Sequence, residues 1–221
     1  MRAFFRLSGV SFAVIAGLAC LANPSVAGQV SINLATGLDS AYTLLGSGGL
    51  SDAHWNVDQV TGAPAPAQSV YPNNADWYGG WLANGPGSTW IARNASTSAN
   101  GLGVYTRTFD LTGVNLSTAF IQGSWAIDDS GTLNLNGHLI ASLGSGAWGV
   151  LTAFSVVNPT FFNQGMNTLT IQITNTDNFL EAVRLEGTVT ASASVPEPAT
   201  LCAGGLGALA LVLVARRRRS N

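Results

Sequence analysis

The chain has no lysine, only two cysteines and little charge of any kind, with charged residues at 9% of its 221 positions. Both cysteines, Cys20 and Cys202, lie in apolar segments near the two ends, where targeting signals are expected. The remaining middle part, residues 28–194, contains no cysteine and is called the body below. Disulfide stapling is therefore excluded for the body, which must be held together by a hydrophobic core.

Positive charge is also scarce in the body. It contains three arginines against ten acidic residues, which gives a formal charge of −7. A protein that holds DNA or RNA needs a basic surface, so this charge balance argues against nucleic-acid binding. A domain of about 165 residues buries roughly 70% of its unfolded surface, and the body is therefore long enough for one domain with its own core.

The first 27 residues have the pattern of a signal peptide. Two arginines precede an apolar stretch, residues 7–21, and small residues follow up to Ala27. We predict removal by signal peptidase and a mature start at Gly28. Cys20 leaves a lipoprotein as the less favoured alternative, because Gly17 stands where such signals carry a bulky aliphatic residue.

The last segment, residues 195–221, has the pattern of a short membrane anchor. Residues 199–215 carry no charge, and as a helix they would span about 25 Å, close to the roughly 30 Å hydrocarbon core. Positive residues stay on the cytoplasmic side, so the chain would end inside, with the body outside. Composition alone fits an ordinary C-terminal transmembrane helix, preceded by a proline break and followed by Arg216, Arg217, Arg218 and Arg219.

The order of these features is more specific than an ordinary anchor. It resembles the PEP-CTERM sorting signal of Gram-negative bacteria, in which a Pro-Glu-Pro motif, a short span and an arginine cluster end the chain. The resemblance implies a transient inner-membrane anchor, recognition by an exosortase and export of the body to the cell surface or an exopolysaccharide matrix. The matching motif residues are Val195, Pro196, Glu197 and Pro198.

The body has the pattern of an all-β domain. Its segments alternate apolar and polar residues, Asn136-Gly137 is a hairpin signal, and Gly165 marks a turn. We therefore predict an antiparallel two-sheet jelly-roll sandwich, flanked by an N-terminal signal helix and a C-terminal transmembrane helix. Residues 44–100 should be mostly loop with a few short strands. Longer strands are predicted at 30–34, 103–111, 119–127, 132–135, 151–157, 168–174 and 182–190.

Several weak motifs occur together in the body in a consistent order. They include Asp52-Ala53-His54-Trp55, Thr89-Trp90-Ile91, residues 104–111 and Asp128-Asp129 with residues 133–137. This string resembles exported bacterial domains related to galactose-binding-like sandwiches. The resemblance implies binding of glycans or other surface ligands, with a structural calcium in some members, although one fold hosts many functions.

Three aromatic residues of the loop-rich segment, together with Trp148 beside Gly149, are the candidate ligand platform. Aromatic faces stack on sugar rings, while amides and carboxylates bond to the hydroxyl groups. The neighbouring Asn73, Asn74, Asp76 and Asn84 would supply such groups. The alternative is that these aromatics close one end of the sandwich. The candidates are Trp77, Tyr78, Trp81 and Trp148.

Metal and catalytic chemistry have weaker support. No cofactor is predicted; a structural calcium on carboxylate oxygens remains open. The two histidines are far apart, no Gly-x-Ser-x-Gly occurs, and we predict no enzyme. A glycosidase pair of carboxylates stays open as the least favoured alternative, with Glu181 and Glu186 expected to be solvated. The calcium candidates are Asp39, Asp52, Asp58, Asp128 and Asp129.

The sequence thus predicts an exported, exosortase-processed β-sandwich that binds or scaffolds exopolysaccharide or a surface glycan. A purely structural matrix or biofilm protein without a soluble ligand is the alternative.

Overall fold

The computed structural model describes residues 28–46, 48–58, 64–70, 80–96, 101–175 and 180–194. They fall within one compact unit, Ala27–Ser194. The predicted signal helix, the predicted C-terminal transmembrane helix and all eight sorting-motif positions, 195–198 and 216–219, lie outside the described residues. Where the structure is described, no helix has the length and apolarity needed to cross a membrane.

All regular structure in the described part is antiparallel β, apart from one 3-10 turn at Pro159–Phe161. This confirms the all-β prediction. The strands are β1 (Gln29–Asn33), β2 (Ser51–Val57), β3 (Ala65–Ser69), β4 (Ile91–Ala92), β5 (Gly101–Asp110), β6 (Val114–Asp128), β7 (Ser130–Leu135), β8 (His138–Leu143), β9 (Thr152–Val156), β10 (Met166–Asn175) and β11 (Ala182–Ala193).

The strands form two layers. Hydrogen-bonded neighbours follow the order β8-β7-β10-β5-β2-β3-β4-β11-β6-β9, and β1 adds to β11. We call β8, β7, β10, β5 and β2 the first sheet, and β1, β11, β6 and β9 the second sheet. The short strands β3 and β4 connect the two along one side.

A shared hydrophobic core lies between the layers. Tyr105 and Leu169 of the first sheet belong to the same buried cluster as Trp125 and Val183 of the second. Along β10, Ile171 and its inward-facing neighbours are fully buried, while the residues between them point outward. This alternation of burial places one face of each strand in the core, as the period-two pattern predicted. The body is a β-sandwich; its jelly-roll connectivity stays a prediction.

The turn predictions are confirmed where they can be checked. Asn136 (φ 50°) and Gly137 (φ 84°) connect β7 to β8, and Gly165 (φ 102°) precedes β10. Two successive positive φ values twist a tight turn in the same sense as its flanking strands, which is why Asn-Gly forms this hairpin. Residues 44–100 hold three strands in their described parts, β2 to β4; β2 runs for seven residues and is longer than expected.

Candidate functional site

Trp81 is not exposed, so this part of the predicted ligand platform is wrong. Its side chain is 9% exposed and packs on Trp90, with ring centroids 4.6 Å apart. Its indole Nε1–H donates to Asp128 Oδ2 at 2.9 Å. The physical reason lies beneath the ring: Ala126 and Ala182 alternate with core residues and therefore point outward from the second sheet. Their small side chains leave room that the indole fills.

Trp148 joins the same cluster from another loop. It is partly buried against it, and its carbonyl accepts a hydrogen bond from Leu82 N at 2.8 Å. We call Trp81, Leu82, Trp90 and Trp148 the tryptophan layer. It covers one part of the outer face of the second sheet.

The other members of the predicted platform lie outside the described residues. Trp77 and Tyr78 belong to this group, as do Asn73, Asn74 and Asp76. Asn84 is described, and its side-chain oxygen accepts from Trp90 N at 2.9 Å. Trp55, Trp90 and Trp125 are each at most 1% exposed; Trp55 and Trp125 belong to the core between the sheets, and Trp90 belongs to the tryptophan layer.

At least four of the five proposed calcium ligands have a carboxylate oxygen that already contacts a protein donor. Asp52 is buried and accepts N–H groups from Gly37, His54 and Trp55 at 2.6, 2.7 and 3.0 Å. Burial raises the pKa of its carboxyl group despite these bonds. Asp39 accepts from the backbone of two residues in its own turn. Both aspartates therefore fix local backbone geometry.

The remaining aspartates are also engaged or buried. Asp58 Oδ1 lies 2.7 Å from Val104 N and 3.3 Å from Arg93 Nη2. Asp128 and Asp129 are 7% and 6% exposed, and Asp128 accepts from Trp81. Within the described residues, no three metal-ligating side chains come together.

Glu181 is fully buried, contrary to the expectation that it is solvated. Tyr105 Oη–H donates to its Oε1 at 2.5 Å, and its Oε2 lies 3.5 Å from Arg93 Nη1. Burial raises the pKa of Glu181, and burial together with this carboxylate raises the pKa of Tyr105 well above its usual range. The sequence contained a signal for this: Glu181 shares the inward parity of Val183 and Leu185, where a charge must find a buried partner.

Glu186 lies at the edge of a shallow concavity on the outer face of the second sheet. Its Oε1 is 2.8 Å from Arg184 Nη2 and 3.0 Å from Ser88 Oγ, and its side chain is 36% exposed. The concavity has a volume of about 410 Å³. Of the described residues that line it, Glu186 is the one carboxylate; the others are Gln122, Gly123, Ser124, Ala153, Phe154, Gly187 and Thr188.

The outer face of the first sheet carries hydroxyl and amide groups at its centre, with Asp110 and the exposed Leu102 and Met166 at the strand ends. Thr106 on β5 lies opposite Thr170 on β10, which in turn lies opposite Asn134 on β7. Neighbouring strands are about 4.8 Å apart and outward residues along one strand about 6.7 Å, so these groups form a regular grid. We call this surface the threonine face; its half-buried or exposed members are Thr106, Thr108, Thr132, Asn134, Thr168, Thr170, Gln172 and Thr174.

All three arginines of the body are buried. Arg93, Arg107 and Arg184 are 8%, 6% and 3% exposed. Arg107 donates to the carbonyls of His54 and Asn33, and Arg184 Nε donates to Ser88 Oγ at 2.8 Å. Since the body contains no lysine and no other arginine, its surface presents neither cation.

Comparison with known proteins identifies the C-terminal segment. Residues 194–219 match the PEP-CTERM protein-sorting motif. The chain carries a PEP-CTERM sorting signal. This signal implies an exported protein that an exosortase processes, with a C-terminus that is anchored in the membrane before processing. No curated protein matches the chain.

The body is similar in fold to parts of larger solved structures. One is a β-glucuronidase from Ruminococcus gnavus, at 13% identity and a TM-score of 0.39 over 74% of this chain and 29% of that one. Another is an FMN-binding β-glucuronidase from Facaelibacterium prausnitzii L2-6, at 18% identity and a TM-score of 0.38 over 74% of this chain and 23% of that one. A third is a GH2 β-galacturonidase from Eisenbergiella tayi, at 11% identity and a TM-score of 0.35 over 73% of this chain and 25% of that one. The chain thus spans less than a third of each of them.

Proposed function

We propose that the exported body binds or scaffolds exopolysaccharide at the cell surface or in the extracellular matrix of a Gram-negative bacterium. The observation that carries the proposal is the threonine face, a broad surface of hydroxyl and amide groups on a protein with an export signal. Polysaccharides present many hydroxyl groups, which such side chains can both donate to and accept from.

The proposal is binding and not hydrolysis. A glycosidase needs two carboxylates that flank the scissile bond. Glu181 is completely buried against Tyr105 and Arg93, so it cannot reach a substrate. Glu186 is the single carboxylate among the described residues of the concavity, and its Oε1 already contacts Arg184 and Ser88.

Retention on the producer's own exopolysaccharide tests this function. The processed protein is incubated with the native polymer, sedimented and quantified in the pellet, with polymer-free tubes as the control. We expect saturable retention and no release of reducing sugar. Release of sugar would indicate a hydrolase. Self-association in the polymer-free tubes, with no gain on adding polymer, would instead favour a purely structural matrix protein.

A further inference from the structure

We propose that the preferred partner is a neutral polysaccharide and that it lies on the threonine face. This inference rests on the proposed function and makes it specific in two respects, the charge of the polymer and the surface that receives it. The charge of the polymer follows from the charge of the body. The surface follows from comparing the threonine face with the concavity beside Glu186.

The charge of the body argues against an acidic polymer. Proteins hold carboxylate-bearing or sulfated chains mainly with exposed lysine and arginine side chains. The body has no lysine, and Arg93, Arg107 and Arg184 are all buried with partners inside the protein. Its formal charge of −7 would repel a polyanion. A neutral chain meets no such repulsion and needs no cation.

The threonine face is matched to a neutral chain. None of its members is ionisable; the charges at its border are acidic, with Asp110 at the end of β5 and Asp58 directly after β2. Thr170 lies at the centre, with Thr106 on one side and Asn134 on the other. Asn134 Nδ2 donates to Thr132 Oγ1 at 3.1 Å. The Asn134 side-chain oxygen and the hydroxyl groups of Thr106 and Thr170 keep hydrogen-bonding capacity towards solvent, so a flat chain could contact three strands at once.

The concavity beside Glu186 is the less suitable surface. It holds the Glu186 carboxylate, which Arg184 and Ser88 already contact. A ligand in the concavity would displace water from the Glu186 carboxylate, and a neutral ligand offers no charged partner to offset that cost in free energy. No charge has to be desolvated on the threonine face, and this difference favours it as the neutral site.

The test uses a neutral insoluble glucan and the same glucan after carboxymethylation as probes. The full chain is produced with its own export signals, and the processed form is used. We expect binding to the neutral glucan that is equal at about 0.1 M and about 1 M salt, between which the screening length falls from about 10 Å to about 3 Å. The carboxymethylated glucan should bind at least about tenfold more weakly, a difference of about 1.4 kcal/mol.

Three matched lysine substitutions locate the surface. Thr170→Lys places a long charged side chain at the centre of the threonine face and should weaken neutral binding by about tenfold or more, as a buried, unpaired charge does. Ser124→Lys alters the concavity, and Ser31→Lys places the same charge on exposed β1; both should stay within about twofold of the unmodified protein. Should Thr170→Lys fail to fold, Thr170→Val removes only the hydroxyl group and takes its place.

Each outcome decides something. Preference for the carboxymethylated glucan would overturn the neutral partner while leaving the proposed function standing; loss of that preference with a chelator would identify a bridging divalent cation. Neutral binding that Ser124→Lys abolishes and Thr170→Lys spares would overturn the threonine face. If neither glucan retains the protein but the producer's own polysaccharide does, this inference is overturned and the proposed function stands. If none of these three polymers retains it, the proposed function is overturned as well.

Discussion

The outer faces of the two sheets are built from similar strands but have different surroundings. On the second sheet, Ala126 and Ala182 point outward and lie beneath the tryptophan layer. On the first sheet, Thr106 and Thr170 occupy outward positions and stay half-exposed. Outward alanines mark a surface that other parts of the chain cover, whereas outward threonines mark one that meets solvent.

The outward residues of the two sheets therefore have different roles, one in stability and one in binding. The indoles of Trp81 and Trp148 bury apolar surface and add stability to the covered part of the second sheet. The hydroxyl groups of the threonine face contribute little to stability and are available to a partner. Substitutions on the covered face should therefore change unfolding, and those on the threonine face should change binding.

Trp81→Ala should have the largest effect on stability. It removes a buried ring packed on Trp90 and leaves Asp128 without its indole donor. Loss of a large buried aromatic side chain costs about 3–5 kcal/mol. Urea unfolding of the variant beside Thr170→Val measures the difference. If both variants unfold at the same urea concentration, Trp81 does not belong to the core.

Arg184→Ala should have the next largest effect. Its guanidinium donates to Ser88 Oγ, to the Ala83 carbonyl and to Glu186. These bonds attach the segment that contains Ala83 and Ser88 to the second sheet. Removing it leaves buried acceptors unpaired, at an expected cost of about 2–3 kcal/mol. Glu186→Gln keeps an acceptor in place and is the matched control, expected to cost about 1 kcal/mol or less because this side chain is partly exposed. Equal losses in the two variants would contradict the account.

A pH series tests the buried carboxyl group of Glu181, which directly precedes β11 of the second sheet. Burial raises the pKa of Glu181 above its ordinary value of 4.5. The folded state therefore holds this proton more tightly than the unfolded state, and the stability it contributes is present below about pH 4.5 and lost as pH rises through the folded pKa. The Tm of the unmodified protein minus that of Glu181→Gln should fall as the pH rises above about 4.5.

The control for the pH series has the opposite sign. Hydrogen bonds from Thr112 lower the pKa of the exposed Asp110, so any stability it adds is present above its ordinary value of 3.8 and is lost as pH falls. The corresponding Tm difference for Asp110→Asn should fall towards acid pH. A Glu181→Gln difference with that same slope would show that the carboxyl is not desolvated in solution.

Thr170→Val should have the smallest effect on stability. The side chain is half-buried on an outer sheet face, and valine keeps its shape and its preference for strands. Away from buried features such substitutions change the free energy of unfolding by about 0.5 kcal/mol or less. Thermal unfolding checks this. A loss above that range would mean that the threonine face is a structural contact, which would remove it as a free binding surface.

Strands could be predicted from sequence where alternation is regular, and contacts across the sandwich could not. Thr168 to Thr174 alternates without exception, and β10 covers this whole range. In contrast, β2 mixes an aspartate, a histidine and an asparagine with its apolar residues. Asp52 can be buried there because its carboxylate accepts hydrogen bonds from backbone N–H groups. Local composition made Trp81 a ligand candidate; the outward Ala126 that it covers lies far away in the chain.

Threonine methyl NMR tests the central claim most directly, because both outer faces carry threonines. The isotopically labelled, processed protein is titrated with a soluble neutral oligosaccharide. The account predicts progressive shifts of the Thr106, Thr168 and Thr170 methyl signals on the first sheet, while Thr188 and Thr190 on the second sheet stay unchanged. Shifts confined to Thr188 and Thr190 would contradict it.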